Sequence, residues 1–248
     1  MSQTLLSIVI PAWNEEKTLE ALVNKVLAVK FPKDISTEIL IIDDGSSDRT
    51  LTIARTLAKK HKNIFAHKNP KNVGKSQTVR NGLMKTKGDI VVIQDADFEY
   101  NPKELVKLLS LMRRENLDVV YGNRFGVKNK VVYLQNYLGN RFLSAVSNLF
   151  TYPRLRVWIP DMEVCYKMMR GDLARNLGKT IVSTSSFGLE PEMTAKLSRV
   201  KENGKHLTFG IVPISYNART FEEGKKMHAF RDGAKALKEI VIFNTKQQ

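Results

Sequence analysis

Residues 89–99 read Asp-Ile-Val-Val-Ile-Gln-Asp-Ala-Asp-Phe-Glu. The apolar run at 90–93 predicts a buried strand, and two aspartates follow where that strand ends. Carboxylates one residue apart can bind one hard cation together, and such a cation prefers oxygen ligands and bridges to a diphosphate. A solvated turn explains two aspartates equally well, so Asp95 and Asp97 alone leave both interpretations open.

The neighbouring segments alternate between strand and helix patterns. The sequence predicts strands at Leu5–Pro11, Glu38–Ile42, Ile64–His67 and Asp118–Tyr121, and helices near 15–30, 48–60, 75–85 and 102–114. This alternation predicts an α/β fold with a mostly parallel central sheet that helices cover on both faces. Ligands of such sheets bind at the carboxyl ends of the strands. Polar motifs follow Ile10, Ile42, His67 and Ile93, so we expect a nucleotide-type site at that edge.

The composition is that of an ordinary globular protein with a strong positive charge. The chain has 248 residues, 42% hydrophobic residues and a formal net charge of +15. That charge suits nucleic acid, an anionic membrane surface or phosphorylated substrates, and scattered lysines that keep the protein in solution also explain it.

Several features bear on the compartment. The single cysteine, Cys165, excludes an internal disulfide and fits a reducing compartment. No signal-peptide pattern is evident, and no stretch approaches the roughly 18 apolar residues that span a bilayer. We therefore expect a cytoplasmic protein, soluble or peripheral. The segment 130–152 is rich in large apolar residues but broken by polar ones; an interfacial helix and a core helix both fit, and a core helix is the default.

Four motifs, in order along the chain, resemble the family 2 glycosyltransferases with a GT-A fold. They are Pro-Ala-Trp-Asn-Glu at 11–15, Asp-Asp-Gly-Ser-Ser-Asp at 43–48, Asn-Val-Gly-Lys at 72–75 and Asp-Ala-Asp at 95–97. Within that family, the segments at 121–124, 161–167, 190–196 and 213–226 resemble dolichyl- or polyprenyl-phosphate sugar synthases.

This resemblance implies a fold, a reaction and its partners. We expect a single GT-A domain over 1–248, with a nucleotide-sugar half at 1–122 and an acceptor half at 123–248. The reaction would be an inverting transfer of mannose or glucose from GDP-mannose or UDP-glucose to a polyprenyl or dolichyl phosphate, with Mg²⁺ or Mn²⁺ as cofactor. Many relatives carry C-terminal transmembrane helices; since this sequence shows none, we expect the form that lies peripherally on the cytoplasmic face of an anionic membrane.

On the donor side, the resemblance implies two overlapping sets of residues. Asp95, Asp97 and Glu99 would bind the metal. Glu15 is equally explained as an acid in the first turn of a helix, and Lys75 as a solvated lysine. The residues that would bind the donor are Pro11, Ala12, Asn14, Glu15, Asp43, Asp44, Lys75, Asp95, Ala96 and Glu99.

On the acceptor side, arginines dominate, because a guanidinium grips phosphate oxygens bidentately. Surface salt bridges are the alternative for these arginines, Arg141 above all, and Glu190 is also explained by a helix N-terminus. Asp161 or its neighbour Glu163 would be a general base or the partner of a basic residue. The residues that would bind the acceptor are Arg124, Arg141, Ser144, Glu190, Arg219 and Lys225. Those that would take part in catalysis are Asp97, Arg124, Arg219 and Asp161.

Three rival functions remain at this level. A related enzyme would use a hydroxyl acceptor on a glycan or glycolipid, and would need a general base that a phosphate, with its second pKa of about 6, does not need. A basic nucleic-acid-binding protein would suit the charge, but the basic residues form no known recognition motif, so no nucleic-acid partner is expected. A catalytically inactive relative would only bind nucleotide.

Overall fold

The structure, a computed structural model, describes residues 3–185, 187–219 and 229–246. Its main sheet has seven strands in the order β3-β2-β1-β4-β6-β5-β9, and β7 and β8 form a separate hairpin. The strands are β1 Thr4–Ala12, β2 Ile35–Asp43, β3 Ile64–Lys68, β4 Ile90–Ile93, β5 Val119–Asn123, β6 Lys167–Arg170, β7 Lys201–Glu202, β8 Lys205–His206 and β9 Phe209–Pro213.

The sheet is mostly parallel, as predicted. The pairs β1–β2, β1–β4, β2–β3 and β5–β9 are parallel, whereas β6 runs antiparallel to both β4 and β5. Strand β1 lies in the middle of the first half, and Leu6, Ile8, Val9 and Ile10 are all fully buried. Helices on both faces explain this continuous apolar run, because neither face of such a strand meets water.

Helices cover the sheet and extend its second half. They are α1 Leu19–Leu27, α2 Thr50–Lys60, α3 Lys75–Leu83, α4 Leu105–Arg114, α5 Leu134–Leu155, α6 Gly171–Thr180, α7 Leu189–Arg199 and α8 Ala229–Thr245; a single 3₁₀ turn, Pro102–Glu104, leads into α4. Within the described ranges, no helix combines the length and the apolarity needed to cross a bilayer.

The first helix begins four residues later than the sequence predicts. The loop around 46–50 binds the preceding backbone: the amide of Asn14 donates to Ser46 Oγ at 3.0 Å and the amide of Glu15 to Thr50 Oγ1 at 2.8 Å. Asn14, just before Glu15, takes a left-handed φ of 55°. Helix α1 begins at Leu19 and the acid in its first turn is Glu20, so the interpretation of Glu15 as a first-turn helix acid is wrong.

Helix α5 corrects a second expectation. Its buried side chains are mainly small or polar, namely Leu143, Ser144, Ser147, Asn148, Thr151 and Leu155. Other large apolar side chains point the other way: Leu138 is 55% exposed and Leu149 is 72% exposed. The default expectation of a core helix fits Leu143 and Leu155, which lie in the core, but it is wrong for Leu138 and Leu149.

Candidate donor and acceptor site

The parallel strands bring the polar motifs to one edge of the sheet. In the register of the sheet, Ala12 at the end of β1 lies beside Asp43 at the end of β2, and Val9 lies beside Ile93 of β4. The amide of Asp44 donates to the carbonyl of Ala12 at 2.8 Å. Pro11, Ala12 and the aspartates at 43–44 and 95–97 therefore lie along one edge, as the sequence predicts.

Asn14 joins the motif at 11–15 to the motif at 43–48 by hydrogen bonds. Its Oδ1 accepts from the amide of Ser47 at 2.9 Å and from that residue's hydroxyl at 3.3 Å. The Glu15 carboxylate accepts from the Thr18 hydroxyl at 2.5 Å, in the turn that leads into α1. Both residues thus shape the turn above β1 and β2, where the resemblance places the base and ribose.

The two adjacent aspartates differ in how far their oxygens are engaged. The Asp44 carboxylate accepts from the side chain of Asn69 and from the amides of Val73 and Gly74, each at 2.9 Å. Asp43 is 0% exposed and accepts from the amide of Ser46 at 3.3 Å, but within the described ranges its Oδ1 has no partner. Buried polar atoms are normally paired, so Asp43 Oδ1 is the oxygen best placed to receive a ligand hydrogen bond. The sequence analysis missed Asn69.

Two cations flank the Asp95/Asp97 pair. Lys75 Nζ lies 2.9 Å from Asp95 and 3.4 Å from Glu190, so it joins a residue predicted to bind the donor to one predicted to bind the acceptor. On the other side, Arg219 Nη2 lies 2.7 Å from Asp97 Oδ2. Ala96, between the aspartates, is buried. Lys75 is therefore a member of the site and not a solvated lysine, so that alternative is wrong.

Glu99 connects this edge to the segment after β9. Its Oε2 accepts from the Tyr216 hydroxyl at 3.0 Å, and its Oε1 accepts from the amide of Arg219 at 2.9 Å. Its carbonyl accepts from the amide of Asn217 at 2.9 Å. Glu99 thus holds Arg219 against Asp97. Metal binding by Glu99 stays a prediction, and it would require one of these bonds to open.

The site concentrates negative charge. Burial, with Asp95 and Glu99 nearby, raises the pKa of Asp97 to about 7 in spite of Arg219. Burial opposes ionisation at Asp95 and Lys75 too. The Lys75 ammonium nevertheless lowers the pKa of Asp95, and the Asp95 and Glu190 carboxylates hold the pKa of Lys75 well above its usual range. A divalent cation would relieve the repulsion at Asp97, so the donor set fits the implied metal.

The two aspartates would not complete a coordination sphere by themselves. In the part of the chain that the structure describes, no three His, Cys, Asp or Glu side chains cluster closely enough to hold a metal ion. Mg²⁺ is usually held by one or two carboxylates together with waters and substrate phosphates. Asp95 and Asp97 fit that arrangement, in which a diphosphate would supply the remaining oxygens.

Arg124 is the fixed cation on the acceptor side. Its Nε and Nη2 donate to the two oxygens of Asp161 at 2.7 and 2.6 Å, and its backbone amide donates to the same carboxylate at 2.9 Å. The guanidinium carbon lies 5.1 Å from the ring centre of Tyr216. Burial alone would lower the pKa of Arg124, but Asp161 raises it well above the usual value. The sequence analysis did not name Tyr216 as a site residue, although it lies within the segment 213–226 and precedes Arg219 by three residues.

The other predicted acceptor residues lie in different environments. Arg141 is exposed on α5, donates to the Tyr137 hydroxyl at 3.2 Å and lies 5.9 Å from the ring centre of Phe125. The salt-bridge alternative for Arg141 stays a prediction. Ser144 is 1% exposed, donates to the carbonyl of Asn140 and accepts from the amide of Met162. Lys225 lies outside the described residues.

Glu163 lies near Arg124 but makes no ion pair with it. Its Oε1 is buried and has no hydrogen-bond partner among the described residues. Burial, reinforced by Glu190, raises its pKa to about 8. Burial therefore favours the protonated form of Glu163, whereas both oxygens of Asp161 accept hydrogen bonds from Arg124.

A groove opens beside Arg124. It runs between the segment before α5 and the segment after β9, and its walls combine aromatic, aliphatic and amide side chains. Its lining includes Arg124, Phe125, Asn129, Val131, Tyr133, Tyr137, Asn140, Tyr216 and Ala218.

The sequence profile of Glycosyl transferase family 2 matches residues 7–178, which include the whole Asp95/Asp97 edge and the Arg124–Asp161 pair. The chain belongs to glycosyl transferase family 2. The family predicted from the four motifs is thereby confirmed.

The chain is also similar in sequence to parts of several curated relatives. The chain is 28% identical over 176 residues to an uncharacterized protein of Methanocaldococcus jannaschii, covering 68% of this chain and 73% of that one. It is 35% identical over 131 residues to a dolichyl-phosphate beta-glucosyltransferase of Trichomonas vaginalis, covering 48% of this chain but 40% of the relative. The match thus spans less than half of that glucosyltransferase.

Solved structures confirm the GT-A fold. Glucosyl-3-phosphoglycerate synthase of Mycobacterium tuberculosis, in complex with Mn²⁺, UDP and glucosyl-3-phosphoglycerate, is similar with a TM-score of 0.69 at 17% identity, over 99% of this chain and 81% of that one. S. aureus TarS 1–349 is similar with a TM-score of 0.61 at 19% identity, over 100% of this chain and 67% of that one. At such identities the likeness concerns the fold.

Proposed function

We propose that this glycosyltransferase moves one hexose, glucose in preference to mannose, from a nucleoside diphosphate sugar to a polyprenyl phosphate with inversion at the anomeric carbon. The observation that carries the proposal is the position of Arg124, clamped by Asp161 beside the Asp95/Asp97 edge and at the mouth of a groove with aromatic and aliphatic walls. Similarity to a dolichyl-phosphate beta-glucosyltransferase supports both the sugar and the acceptor class.

The acceptor side favours an ionised oxygen nucleophile. A phosphate monoester is largely dianionic near neutral pH and needs little help from a base. Arg124 offers it a planar guanidinium already held in place on both sides. Asp161 is poorly placed as a general base, because both of its oxygens accept from Arg124. We therefore assign Asp161 the role of orienting Arg124.

The groove favours a lipid over a small polar acceptor. Val131, Tyr133, Tyr137 and Ala218 line it, and such side chains offer an isoprenoid chain apolar surface that a phosphoglycerate would not use. The phosphate would lie at Arg124 and the first isoprene units along the groove. Glu190, joined to the donor edge through Lys75, would lie between donor and acceptor.

The donor side would stabilise the leaving group. The bond from the anomeric carbon to the diphosphate breaks as a bond to an acceptor phosphate oxygen forms, and the electron pair leaves with the diphosphate. Mg²⁺ or Mn²⁺, bound by Asp95 and Asp97 with Glu99 as a further candidate ligand, would supply positive charge for that leaving group. Lys75 and Arg219 add fixed positive charge on either side of the two aspartates. Asp43 would receive a hydrogen bond from the nucleoside, with Asp44 shaping the loop around it.

We also propose where this reaction takes place. The acceptor is a membrane lipid, and the net charge of +15 suits an anionic leaflet. The chain would act peripherally on the cytoplasmic face, where nucleotide sugars are available and the buried thiol of Cys165 stays reduced.

One assay with matched acceptors tests the reaction. Purified protein and Mn²⁺ are incubated with UDP-glucose or GDP-mannose and one of three acceptors: a short-chain prenyl phosphate, the prenol of the same chain length, or 3-phosphoglycerate. We expect glucosylation of the prenyl phosphate alone, lost in Asp97→Asn and without metal. Glucosylation of 3-phosphoglycerate or of the prenol would refute the acceptor class, and preference for GDP-mannose would refute the sugar.

A second candidate function rests on Glu163. Its buried Oε1 has no hydrogen-bond partner among the described residues, and burial raises its pKa to about 8. A carboxyl with a pKa near the working pH could act as a general base for a hydroxyl acceptor on a glycan or glycolipid. Glu163→Gln separates the two functions. With a phosphate acceptor the variant should retain turnover within about three-fold, whereas loss of a general base typically costs roughly 10²–10⁴-fold.

A further inference from the structure

Helix α5 exposes its apolar face to solvent. Five large side chains recur at helical spacing along its outward side: Leu134 is 64% exposed, Leu138 55%, Phe142 59%, Leu149 72% and Tyr152 42%. We call these five residues the α5 outer face. A helix on the surface of a globular protein normally keeps its large apolar residues on the core. Helix α5 does so with Leu143 and Leu155, but it also exposes this second apolar row.

Specific hydrogen bonds fix that orientation. Asn148 donates to the carbonyl of Ile159 at 2.7 Å and accepts from its amide at 2.9 Å. Ser144 accepts from the amide of Met162 at 2.9 Å, and Thr151 donates to the carbonyl of Ser147 at 3.1 Å. The Thr151 bond lies within the helix, but the bonds of Asn148 and Ser144 reach the backbone outside it. Rotation of α5 would leave Asn148 and Ser144 unpaired. The hydrogen bonds on the inward side of α5 therefore fix the outward orientation of the α5 outer face.

The charges around this face have one sign. No Asp or Glu occurs between Asp118 and Asp161, whereas this stretch contains Arg124, Lys128, Lys130, Arg141, Arg154 and Arg156. Lys128, Lys130 and Arg156 are exposed at the two ends of α5, and Arg141 is exposed beside Phe142. An apolar stripe flanked by basic residues matches a bilayer surface with anionic headgroups.

The ends of the face carry residues suited to a membrane interface. Trp158, just beyond α5, is 53% exposed and packs against Tyr152 with ring centres 6.3 Å apart. At the other end, Val131 is 50% exposed and also lines the groove beside Arg124. Trp and Tyr rings favour the boundary between headgroups and acyl chains. The groove therefore lies next to the N-terminal end of α5.

We propose that the α5 outer face docks on the surface of an anionic lipid bilayer, with the helix axis in the plane of the membrane. The helix has 22 residues and would lie over about 33 Å at 1.5 Å per residue. A second copy of the chain is a poorer occupant, because two such faces would bring their basic flanks together. The proposal deepens the proposed function, since it brings the Arg124 groove to the lipid phase, but docking itself requires no transfer reaction.

Vesicle binding tests the docking surface. Protein is sedimented at about 0.1 M salt with phosphatidylcholine vesicles, with or without phosphatidylglycerol at about one third of the lipid. We expect binding to the anionic vesicles that weakens with salt. The double variant Leu138→Glu/Leu149→Glu should bind at least ten-fold more weakly. The matched control is Phe65→Glu, which places the same charge at a 40% exposed apolar residue on edge strand β3 and should bind like the wild type.

Tryptophan fluorescence gives a second measurement, which does not depend on whether the double variant folds. Quenching by brominated lipids should reach Trp158, and the quenching should disappear in Trp158→Phe while it persists in Trp13→Phe. Absence of wild-type binding, or equal binding by the double variant and the wild type, would overturn the proposal. So would sedimentation velocity showing a wild-type dimer that the double variant dissociates, since a second copy would then cover the face.

Activity on a water-soluble short-chain prenyl phosphate, without vesicles, separates this proposal from the proposed function. The double variant should retain wild-type turnover there. Vesicle binding without turnover in the wild type would refute the proposed function alone, and turnover without vesicle binding would refute the docking surface alone.

Discussion

Replacing Asp161 by Asn tests whether a buried ion pair holds Arg124 in place. The side chains of Arg124 and Asp161 are 10% and 0% exposed, and two charge-assisted bonds of 2.7 and 2.6 Å join them. An asparagine keeps one acceptor oxygen, and its amide donors would face guanidinium donors. At least one bond is lost, and the buried guanidinium is left without a counter-charge.

The magnitude follows from these contacts. A hydrogen bond to a charged group contributes about 1.5–3 kcal/mol, and truncating one partner of a buried pair costs about 3–5 kcal/mol in the free energy of unfolding. We expect a loss of about 3–5 kcal/mol for Asp161→Asn, measured by urea unfolding at pH 7. Transfer to a prenyl phosphate should also fall, because Arg124 is no longer oriented.

Two further variants sharpen the test. Asp34→Asn removes the partner of Arg113 in an exposed pair at 2.5 Å and should leave the free energy of unfolding at the wild-type value. Adding Arg124→Met to Asp161→Asn should recover much of the stability, since no charge stays buried, but none of the activity. A loss below about 1 kcal/mol for Asp161→Asn would refute the reasoning, because a pair so deeply buried cannot be that dispensable.

Three other predictions concern the carboxyl edge of the sheet. Because burial raises the folded-state pKa of Glu163 from 4.5 to about 8, the stability it contributes is present below pH 4.5 and lost as the pH rises to 8, at up to about 1.4 kcal/mol per pH unit. Urea unfolding at pH 5–8 should show that Glu163→Gln removes this slope, and an unchanged slope would contradict it. Arg219→Ala should bind Mn²⁺ alone several-fold more tightly in calorimetry at pH 8, since Asp97 loses the guanidinium at 2.7 Å, while turnover falls; weaker Mn²⁺ binding would count against this competition. Gly45→Ala should lower the free energy of unfolding by about 1–3 kcal/mol, because φ is +66° and the new Cβ would lie 2.7 Å from the backbone nitrogen of Asn72; an unchanged thermal midpoint would disprove it.

The sequence was most informative where local pattern and chemistry coincide. The strands ending at Ala12, Asp43 and Ile93 follow from apolar runs closed by polar turns, and parallel pairing then places those turns at one edge. The order of the polar motifs along the chain also indicated the glycosyltransferase family. The strand positions and the family both depend on residues that are close together in the sequence, so a single sequence is enough to predict them.

The sequence did not predict which site residues bind one another across long stretches of chain. Glu99 binds the amide of Arg219 across 120 residues, and Arg124 binds Asp161 across 37. The sequence offered Arg124 and Asp161 as separate candidates, and only their meeting shows that one orients the other. Likewise, nothing local distinguishes Asp44, whose oxygens bind the 69–74 loop, from Asp43, which keeps a buried oxygen without a partner in the described part of the chain.

Helix α5 shows the same division most clearly. Its sequence alone shows a segment rich in large apolar residues but broken by polar ones, with no acids between Asp118 and Asp161. Which side faces inward was decided by the tertiary structure, in which the backbone of Ile159 and Met162 offers hydrogen bonds that only the polar side can satisfy. Hydrophobic burial is non-directional, whereas an unpaired buried polar group is costly. The side with Ser144 and Asn148 therefore packs inward, together with Leu143 and Leu155, and the row with Leu138 and Leu149 stays on the surface.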